Sequence, residues 1–314
     1  MRKMKKIISI VLACSLLAGV LMGMTSCSGE KNITVVAREQ GSGTREAFDK
    51  VVTDGNGNYL EMKVDGKKVY NTTANADIQK ETGNVMSKVA SDKNAIGYIS
   101  LGSVNDTVKV VSVNGVTPSA QTVLDGTYVI QRPFVIMTNS TVELTEITKD
   151  FLDYLKSGAS EAHAQASGCI WLSDSASRAN EGQPAIPVSE YSPKSTLPSG
   201  GKITINGSTS MEKFIKNAMS GYASLYGRTA DELFTLDLQG SSVGKSAAKN
   251  DTNGNVIGLS SASVNEEGIN SFNVCLDAVA VIVNKSNDKI SNLTLNDLYD
   301  IFSGNITKFS EIKG

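Results

Sequence analysis

A strand, a Gly/Ser/Thr loop and a helix follow one another in the stretch ITVVAREQGSGTREAF, residues 33–48. The apolar residues 33–36 predict the strand, and the apolar spacing over residues 46–52 predicts the helix. A loop in this position directs backbone N–H groups, hydroxyl groups and the positive end of the helix dipole at one point. Arg38 adds a planar guanidinium that suits bidentate binding of an oxyanion. The stretch therefore predicts a binding site for a small tetrahedral anion.

The same pattern occurs twice more in the second half of the chain. An apolar strand over residues 202–206 leads into GSTS at residues 207–210, and another over residues 234–238 leads into GSSVG at residues 240–244. Ser, Thr and Gly are ordinary residues at the start of a helix, so each loop alone is weak evidence. Three such loops together with one arginine favour an anion site that they share.

Strand and helix patterns alternate along most of the chain, which indicates an α/β fold with largely parallel sheets. One segment differs, because residues 173–201 hold four of the six prolines among Ser, Gly and Asn. Such a composition predicts a linker or a long surface loop. It separates residues 33–172 from residues 202–314.

The first 26 residues combine a basic patch with an apolar run and end in small residues before Cys27. This arrangement resembles a bacterial lipoprotein signal, in which residues 1–26 are removed, Cys27 is lipid-modified and residues 27–32 form a tether. An uncleaved transmembrane anchor is the alternative, since the apolar run is nearly long enough to span a bilayer. Both interpretations place the body of the protein outside the cytoplasmic membrane.

The charge balance argues against nucleic acid as a partner. The whole chain has 30 Lys and Arg against 32 Asp and Glu. Residues 1–26 contain four basic residues and no acidic one, so the remainder has 26 against 32, a net charge of −6. Local dipoles and one or two placed arginines must therefore attract an anion.

The sequence offers little that could support catalysis or bind a metal. His163, the single histidine, lies in a polar stretch that predicts a surface helix, and no zinc spacing or P-loop is present. Residues 251–255 (DTNGN) read better as a turn than as a calcium loop. Cys169 and Cys275 could form a disulfide or remain buried thiols, and the sequence leaves both open. We expect no enzymatic activity, no metal and no cofactor.

Longer segments resemble one family, and the likeness covers nearly all of the chain between the signal and its end, except the proline-rich segment. The segments are REQGSGTREAF (38–48), AIGYISLGS (95–103), VNGVTPSAQTVLDGTYVIQRPF (113–134), ITINGSTSMEKF (203–214) and DAVAVIVNKSN with LTLNDLYDIFSGNITKFSEI (277–312). They resemble the PstS family, the phosphate-binding proteins of bacterial ABC transporters. The family fold is a type II periplasmic-binding-protein fold, in which two α/β lobes joined by a hinge close over the ligand.

The order of the segments implies a circular permutation. In the family, the GSTS loop comes first and the SGT loop follows the IFSGNITKFSEI segment, whereas here the SGT half leads. The resemblance implies a first lobe from residues 33–105 plus 287–314 and a second lobe from residues 106–172 plus 202–286. The hinge would lie near residues 103–106 and 284–288, with the segment 173–201 joining the family's ends.

The resemblance also implies which residues bind the anion. The expected phosphate contacts are Arg38, Ser42, Gly43 and Thr44 from one lobe, and Thr209, Ser210, Ser241 and Ser261 from the other. Two positions depart from the family pattern: Ser261 and Gln40 stand where some members carry acidic residues. An acidic residue there would accept the proton of hydrogen phosphate, so selectivity for phosphate over sulfate or molybdate stays open.

The function implied is an extracytoplasmic receptor, lipid-anchored to the cell membrane, that captures inorganic phosphate and delivers it to an ABC permease and its ATPase. A binding protein for another oxyanion is one alternative. A surface sensor or adhesion lipoprotein without a transporter is another, and a phosphatase is a remote one.

Overall fold

The structure, a computed structural model, describes residues 30–173, 178 and 186–312. Residues 32–314 form one compact unit. The predicted signal over residues 1–26 and the predicted lipidation site at Cys27 lie outside the described residues. Among the helices of the described residues, none is both long and apolar enough to cross a membrane.

The strands of the described residues begin and end as follows. They are β1 (Thr34–Arg38), β2 (Glu61–Val64), β3 (Lys67–Tyr70), β4 (Asp77–Gln79), β5 (Ala95–Ser100), β6 (Val108–Val113), β7 (Gln131–Asn139), β8 (Ile170–Trp171), β9 (Ile203–Gly207), β10 (Phe234–Asp237), β11 (Val256–Ser260), β12 (Ile269–Asn284) and β13 (Asn292–Leu293).

Helices alternate with these strands, as the sequence pattern predicts. They are α1 (Gly43–Asp49), α2 (Thr82–Ser91), α3 (Ala120–Leu124), α4 (Glu146–Lys156), α5 (Glu161–Ala166), α6 (Glu212–Leu225), α7 (Ala230–Leu233), α8 (Ser241–Lys249) and α9 (Leu295–Ser303). A 3-10 turn over Thr209–Met211 precedes α6. All three predicted strand–loop–helix units form.

One long strand organises the main sheet, whose order is β10-β9-β11-β7-β12-β5-β1-β4. The outer strands pair in parallel, β9 with β10 and β11, and β1 with β4 and β5. Strand β12 pairs antiparallel with β5, β6, β7 and β8. The sheet is therefore mixed rather than largely parallel, because the 16-residue β12 runs antiparallel to β7 and β5 on either side of it, and β7 also runs antiparallel to β11.

Two large hydrophobic cores lie along this sheet, beside two smaller clusters of buried residues. The first core includes Val35, Phe48, Tyr98, Val111, Ile130, Val279 and Phe302. The second core includes Phe134, Phe151, Ile205, Phe214, Tyr222, Phe272 and Cys275. Both clusters consist of side chains that are almost completely excluded from water. Each core has its own sheet half and its own helices, in keeping with two layers packed around one apolar centre.

The packing sets the limits of the two halves differently from the sequence expectation. Residues 106–130, which the resemblance assigns to the second lobe, contribute Val111 and Ile130 to the first core. The chain changes core between Ile130 and Phe134, and β12 changes core between Cys275 and Val279. The division into lobes stays a proposal, and its crossings are better placed at these two neighbouring strands than at residues 103–106 and 284–288.

A buried ion pair joins the two strands at this crossing. Arg132 on β7 and Asp277 on β12 are cross-strand partners, and the Arg132 Nη2 to Asp277 Oδ2 distance is 2.9 Å. Both side chains are at most 1% exposed. Burial raises the pKa of Asp277, while the charge of Arg132 opposes that rise. The pair fixes the register of the crossing, because breaking a buried pair leaves an uncompensated charge.

The described part of the proline-rich segment packs on the second core instead of hanging free. The Tyr191 hydroxyl donates to Asp150 Oδ2 at 2.8 Å, and the hydroxyls of Tyr222 and Tyr226 donate to the same oxygen at 2.8 Å. Ile147 N also donates to Ser199 O at 2.9 Å. The segment is thus a surface strap, held mainly by one buried carboxylate.

Four side chains considered in the sequence have structural roles. Cys169 and Cys275 are free, buried thiols, and burial together with the neighbouring Cys169 raises the pKa of the Cys275 thiol. His163 Nε2 lies 2.6 Å from the Tyr154 hydroxyl, and burial lowers the pKa of its imidazole. The Asp251 carboxylate accepts from backbone N–H groups of its own turn, so the DTNGN segment is a turn.

Candidate functional site

Helix α1 begins in the SGT loop, which leaves β1 at Arg38. Ser42 is the N-cap of α1, and its hydroxyl accepts from Arg45 N at 3.4 Å. This capping bond explains the local Ser-Gly-Thr order. The Thr44 hydroxyl, two residues later, reaches out of the first turn towards the second half of the molecule.

The other two loops meet at the ends of β9 and β10. Ser208 Oγ accepts from Ser210 N at 3.3 Å, and Gly240 N donates to Gly207 O at 2.8 Å. Gly207 has a φ of +136°, and a Cβ there would stand 2.2 Å from Leu259 O. Only glycine fits here, because a side chain would clash with the Leu259 carbonyl and because residues with a side chain rarely adopt a positive φ. The backbone therefore holds the two loops side by side.

Hydroxyl groups from both halves of the molecule form a first cluster. Thr44 Oγ1 lies 2.9 Å from Ser210 Oγ, although the two residues are 166 positions apart. Thr82, the first residue of α2, places its Oγ1 3.2 Å from Thr209 Oγ1 and 3.3 Å from Ser210 Oγ. All four side chains are buried. The first turns of α1 and α2 thus face the loop before α6.

A second hydroxyl cluster adjoins the first through Ser208 and Ser210. Ser208 Oγ donates to Ser261 Oγ at 2.8 Å, and Ser261 Oγ lies 3.3 Å from Ser241 Oγ. Ser261 N donates to Ser241 Oγ at 3.1 Å. Gly43 of the SGT loop lies directly against this cluster, because a Cβ at that position would be 2.7 Å from Ser241 Oγ and 2.6 Å from Ser261 Oγ.

Arg38 presents one edge of its guanidinium to the first cluster. Its Nη1 donates to Thr82 Oγ1 at 3.2 Å. The opposite edge is paired with a carboxylate: Nε donates to Glu39 Oε2 at 2.9 Å and Nη2 to Glu39 Oε1 at 3.1 Å. Nη2 also donates to Lys80 O at 2.9 Å. The fork that the sequence suggested for a ligand is thus occupied by Glu39, and Nη1 is the group that faces the hydroxyls.

Arg45, the last residue of the REQGSGTR motif, supports Arg38 from below. Arg45 Nη1 donates to Arg38 O at 2.9 Å, and its Nε pairs with Asp49 Oδ2 at 2.9 Å. Burial raises the pKa of Asp49 to about 6, against the opposing charge of Arg45. The Tyr98 hydroxyl accepts from Arg38 N at 3.2 Å. The backbone at Arg38 is therefore held by buried side chains on both sides.

The structure brings most of the predicted site residues together. Arg38, Gly43, Thr44, Thr209, Ser210, Ser241 and Ser261 all lie at the two hydroxyl clusters. Ser42 lies beside them and caps α1. Sequence reasoning missed Thr82, Ser208 and Glu39. Thr82 carries a weak signal, since it is a threonine at the start of a helix. Ser208 directly precedes Thr209 and Ser210, which are among the expected phosphate contacts.

Two residues of the first cluster line a groove on the surface. Thr82 and Thr209 line a cavity of about 780 Å³, together with Glu81, Glu212 and Lys216. Charges of both signs line it, so the groove has no strong net charge. In the described part of the chain, no group of three or more His, Cys, Asp or Glu side chains could hold a metal ion. The chemistry of this site is hydrogen-bond donation from hydroxyl and N–H groups.

Most of the chain matches known proteins in sequence. Residues 25–158 and 192–314 match a family model described as the PBP superfamily domain. The chain is 35% identical over 292 residues to the phosphate-binding protein PstS 2 of Streptococcus pneumoniae, covering 91% of this chain and 89% of that protein. It is 31% identical over 319 residues to PstS 2 of Streptococcus agalactiae, covering 99% of each.

A solved structure agrees with these relatives. The crystal structure of the phosphate-binding protein of a phosphate ABC transporter from Streptococcus pneumoniae TIGR4 is 32% identical and superposes with a TM-score of 0.63. The match covers 90% of this chain and 100% of that one. Each alignment runs along nearly the whole chain, so these relatives have the same order of segments.

Proposed function

The chain belongs to the PBP superfamily and, within it, to the PstS family, and from this membership we propose that it binds inorganic phosphate at the two hydroxyl clusters. It is a binding protein rather than an enzyme, like the relatives that it matches.

One observation carries the proposal: hydroxyl groups from both halves of the molecule converge on Arg38. Thr44 belongs to α1 and Thr82 to α2, whereas Ser210 lies in the 3-10 turn that precedes α6 of the second core. A tetrahedral anion needs donors from several directions, and a cluster of this kind supplies them. The nearby first turns of α1, α6 and α8 add the positive ends of three helix dipoles.

The proposed mechanism is capture by closing two halves over the anion. Hydroxyls such as those of Thr44 and Ser210 lie within hydrogen-bond distance of one another across the halves. We infer that phosphate takes the place of these contacts and that the hydroxyls turn their protons towards its oxygens. Closure then excludes water, which strengthens each charge-assisted bond. Arg38 Nη1 supplies the cationic donor.

Attachment and delivery are further parts of the proposal. We propose that Cys27 is lipidated after removal of residues 1–26 and that residues 27–32 tether the protein to the outer face of the membrane. An ABC permease with its ATPase would then receive the phosphate. The lipobox-like sequence before Cys27 and the membership of the PstS family support these steps.

Calorimetric titration of residues 28–314 with phosphate tests the core of the proposal. We expect saturable binding at one site. Ser210→Ala should weaken it by roughly 10- to 100-fold, because hydrogen bonds to a charged group contribute about 1.5–3 kcal/mol. Ser224→Ala is the matched control, since Ser224 is exposed and bonds only to a carbonyl of its own helix. Absence of phosphate binding in the unaltered protein would refute the function.

A further inference from the structure

The hydroxyls of the site are surrounded by donors. A hydroxyl group has one proton to donate and two positions that accept. Every partner of the two clusters that is not itself a hydroxyl uses an accepting position: Arg38 Nη1 donates to Thr82, Ser210 N to Ser208 and Ser261 N to Ser241. One accepting position on each of Thr82, Ser208 and Ser241 is thus taken by a protein donor, and each hydroxyl proton can turn to a neighbouring hydroxyl, as that of Ser208 does to Ser261, or to a ligand.

No carboxylate among the described residues accepts a hydrogen bond from these hydroxyl groups. Glu39 is the carboxylate next to Arg38, and both of its oxygens accept from that guanidinium. Ser261 is 1% exposed, with Ser208 donating to it and Ser241 in contact.

This distribution of donors determines what the site can distinguish. A buried carboxylate would accept the proton of hydrogen phosphate but would repel sulfate, all of whose oxygens only accept. A hydroxyl in its place carries no charge and rotates to donate. The penalty on sulfate is then absent, while the fit to a tetrahedron of the same size is kept.

We propose that the site binds tetrahedral oxyanions as a class, through oxygens that only accept, and that sulfate binds with an affinity close to that of phosphate. The inference rests on the proposed function, since it concerns the same two hydroxyl clusters.

Titration with sulfate and with phosphate, singly and in competition, tests it without any substitution. We expect dissociation constants within about tenfold of each other and mutual displacement. Phosphate binding with sulfate weaker by more than about tenfold would overturn the inference and leave the proposed function intact. Sulfate binding without phosphate would overturn the function and leave the oxyanion class. Binding of neither would overturn both.

Ser261→Asp provides a second, independent test. The new carboxylate should weaken sulfate at least about tenfold more than phosphate, because only phosphate brings a proton. Ser261→Asn is the matched control, because asparagine has the shape of aspartate but carries an uncharged amide. In this variant the ratio of the phosphate affinity to the sulfate affinity should stay near that of the unaltered protein. Equal loss of both anions in the Asp variant, with an unchanged melting temperature, would count against the inference.

Discussion

Arg38 uses one edge of its guanidinium for Glu39 and the other for the hydroxyls around Thr82. The Arg38 side chain is 2% exposed, so water cannot hydrate and stabilise its charge. Glu39 pairs with that charge. At the same time, the pair fixes the side chain with Nη1 towards the clusters. An arginine held in place this way loses little conformational entropy when an anion arrives.

Replacing Arg38 with alanine should weaken phosphate binding by at least about tenfold, or 1.4 kcal/mol. The physical reason is the loss of a buried charge-assisted donor, which leaves part of the anion's charge uncompensated. Calorimetry against Arg228→Ala measures the effect. Arg228 is exposed and pairs only with Glu232 on the surface, so its removal should leave binding unchanged. Unchanged affinity in the Arg38 variant would remove this residue from the site.

Asp49 is buried against Arg45, and burial raises its pKa from 3.8 to about 6. Glu61 contributes to the rise and Arg45 opposes it, while the buried hydroxyl of Tyr98 lies nearby. The folded state thus holds the Asp49 proton more tightly than the unfolded state. This contribution to stability is complete below about pH 4 and is lost as the pH rises through about 6.

Asp49→Asn should remove that pH dependence. The free energy of unfolding of the unaltered protein, taken relative to the variant, should fall by roughly 1–3 kcal/mol between pH 4 and pH 7. Urea unfolding at several pH values measures this difference. Parallel stability profiles for the two proteins, or a difference that grows with pH, would contradict the assignment.

At the scale of elements, three loops pack so closely that their backbones touch. Ser242 N at the start of α8 donates to Gly41 O in the SGT loop at 3.2 Å. Gly43 lies against Ser241 and Ser261 with no room for a Cβ. The closed arrangement therefore depends on the absence of one methyl group in α1.

Gly43→Ala should hold the halves apart and reduce phosphate affinity by more than about 100-fold. A Cβ at this position would stand 2.7 Å from the carbonyl carbon of Ser261 as well as from two hydroxyls, so a rotamer change cannot relieve the clash. Gly158→Ala is the control, because an added Cβ there meets nothing within 4 Å. Small-angle scattering with and without phosphate, beside calorimetry, would reveal a variant that closes normally and so refute the prediction.

At the scale of the whole molecule, the two ends of the described chain are adjacent. Ile33 N donates to Thr307 O at 2.7 Å, and the rings of Phe48 and Phe302 are 4.8 Å apart in the first core. A short connection could therefore join the end of the chain to its beginning. Such proximity makes a circular permutation physically inexpensive.

A chain permuted back should fold and bind. It would begin at Gly182, run to Gly314, continue through a short Gly/Ser linker into Asn32 and end at Glu181. We expect phosphate affinity within about threefold of the original and a melting temperature within about 8 °C, because every packed element keeps its neighbours. Calorimetry and thermal unfolding measure both quantities. A chain that stays unfolded would show that the present order is needed for folding.

Local pattern in the sequence was enough to predict the strand–loop–helix units, the α/β class and the three loops that meet at the candidate site. These features depend on neighbouring residues, since caps, apolar periodicity and Gly/Ser/Thr loops act over a few positions. Helix α4, for example, starts at Glu146 because Thr145 caps it. A resemblance in sequence supplied the family, and the comparisons confirm it.

Tertiary structure alone decided how distant residues meet. Strand β12 contributes side chains to both cores. The chain passes from one core to the other beside the Arg132–Asp277 pair, where no local signal in the sequence marks a boundary. Thr82 joins the hydroxyls, and Glu39 takes the outer edge of Arg38, because contacts across the two cores fix their side chains. The three loops are properties of short segments, whereas the contacts between their hydroxyl groups depend on how those segments pack.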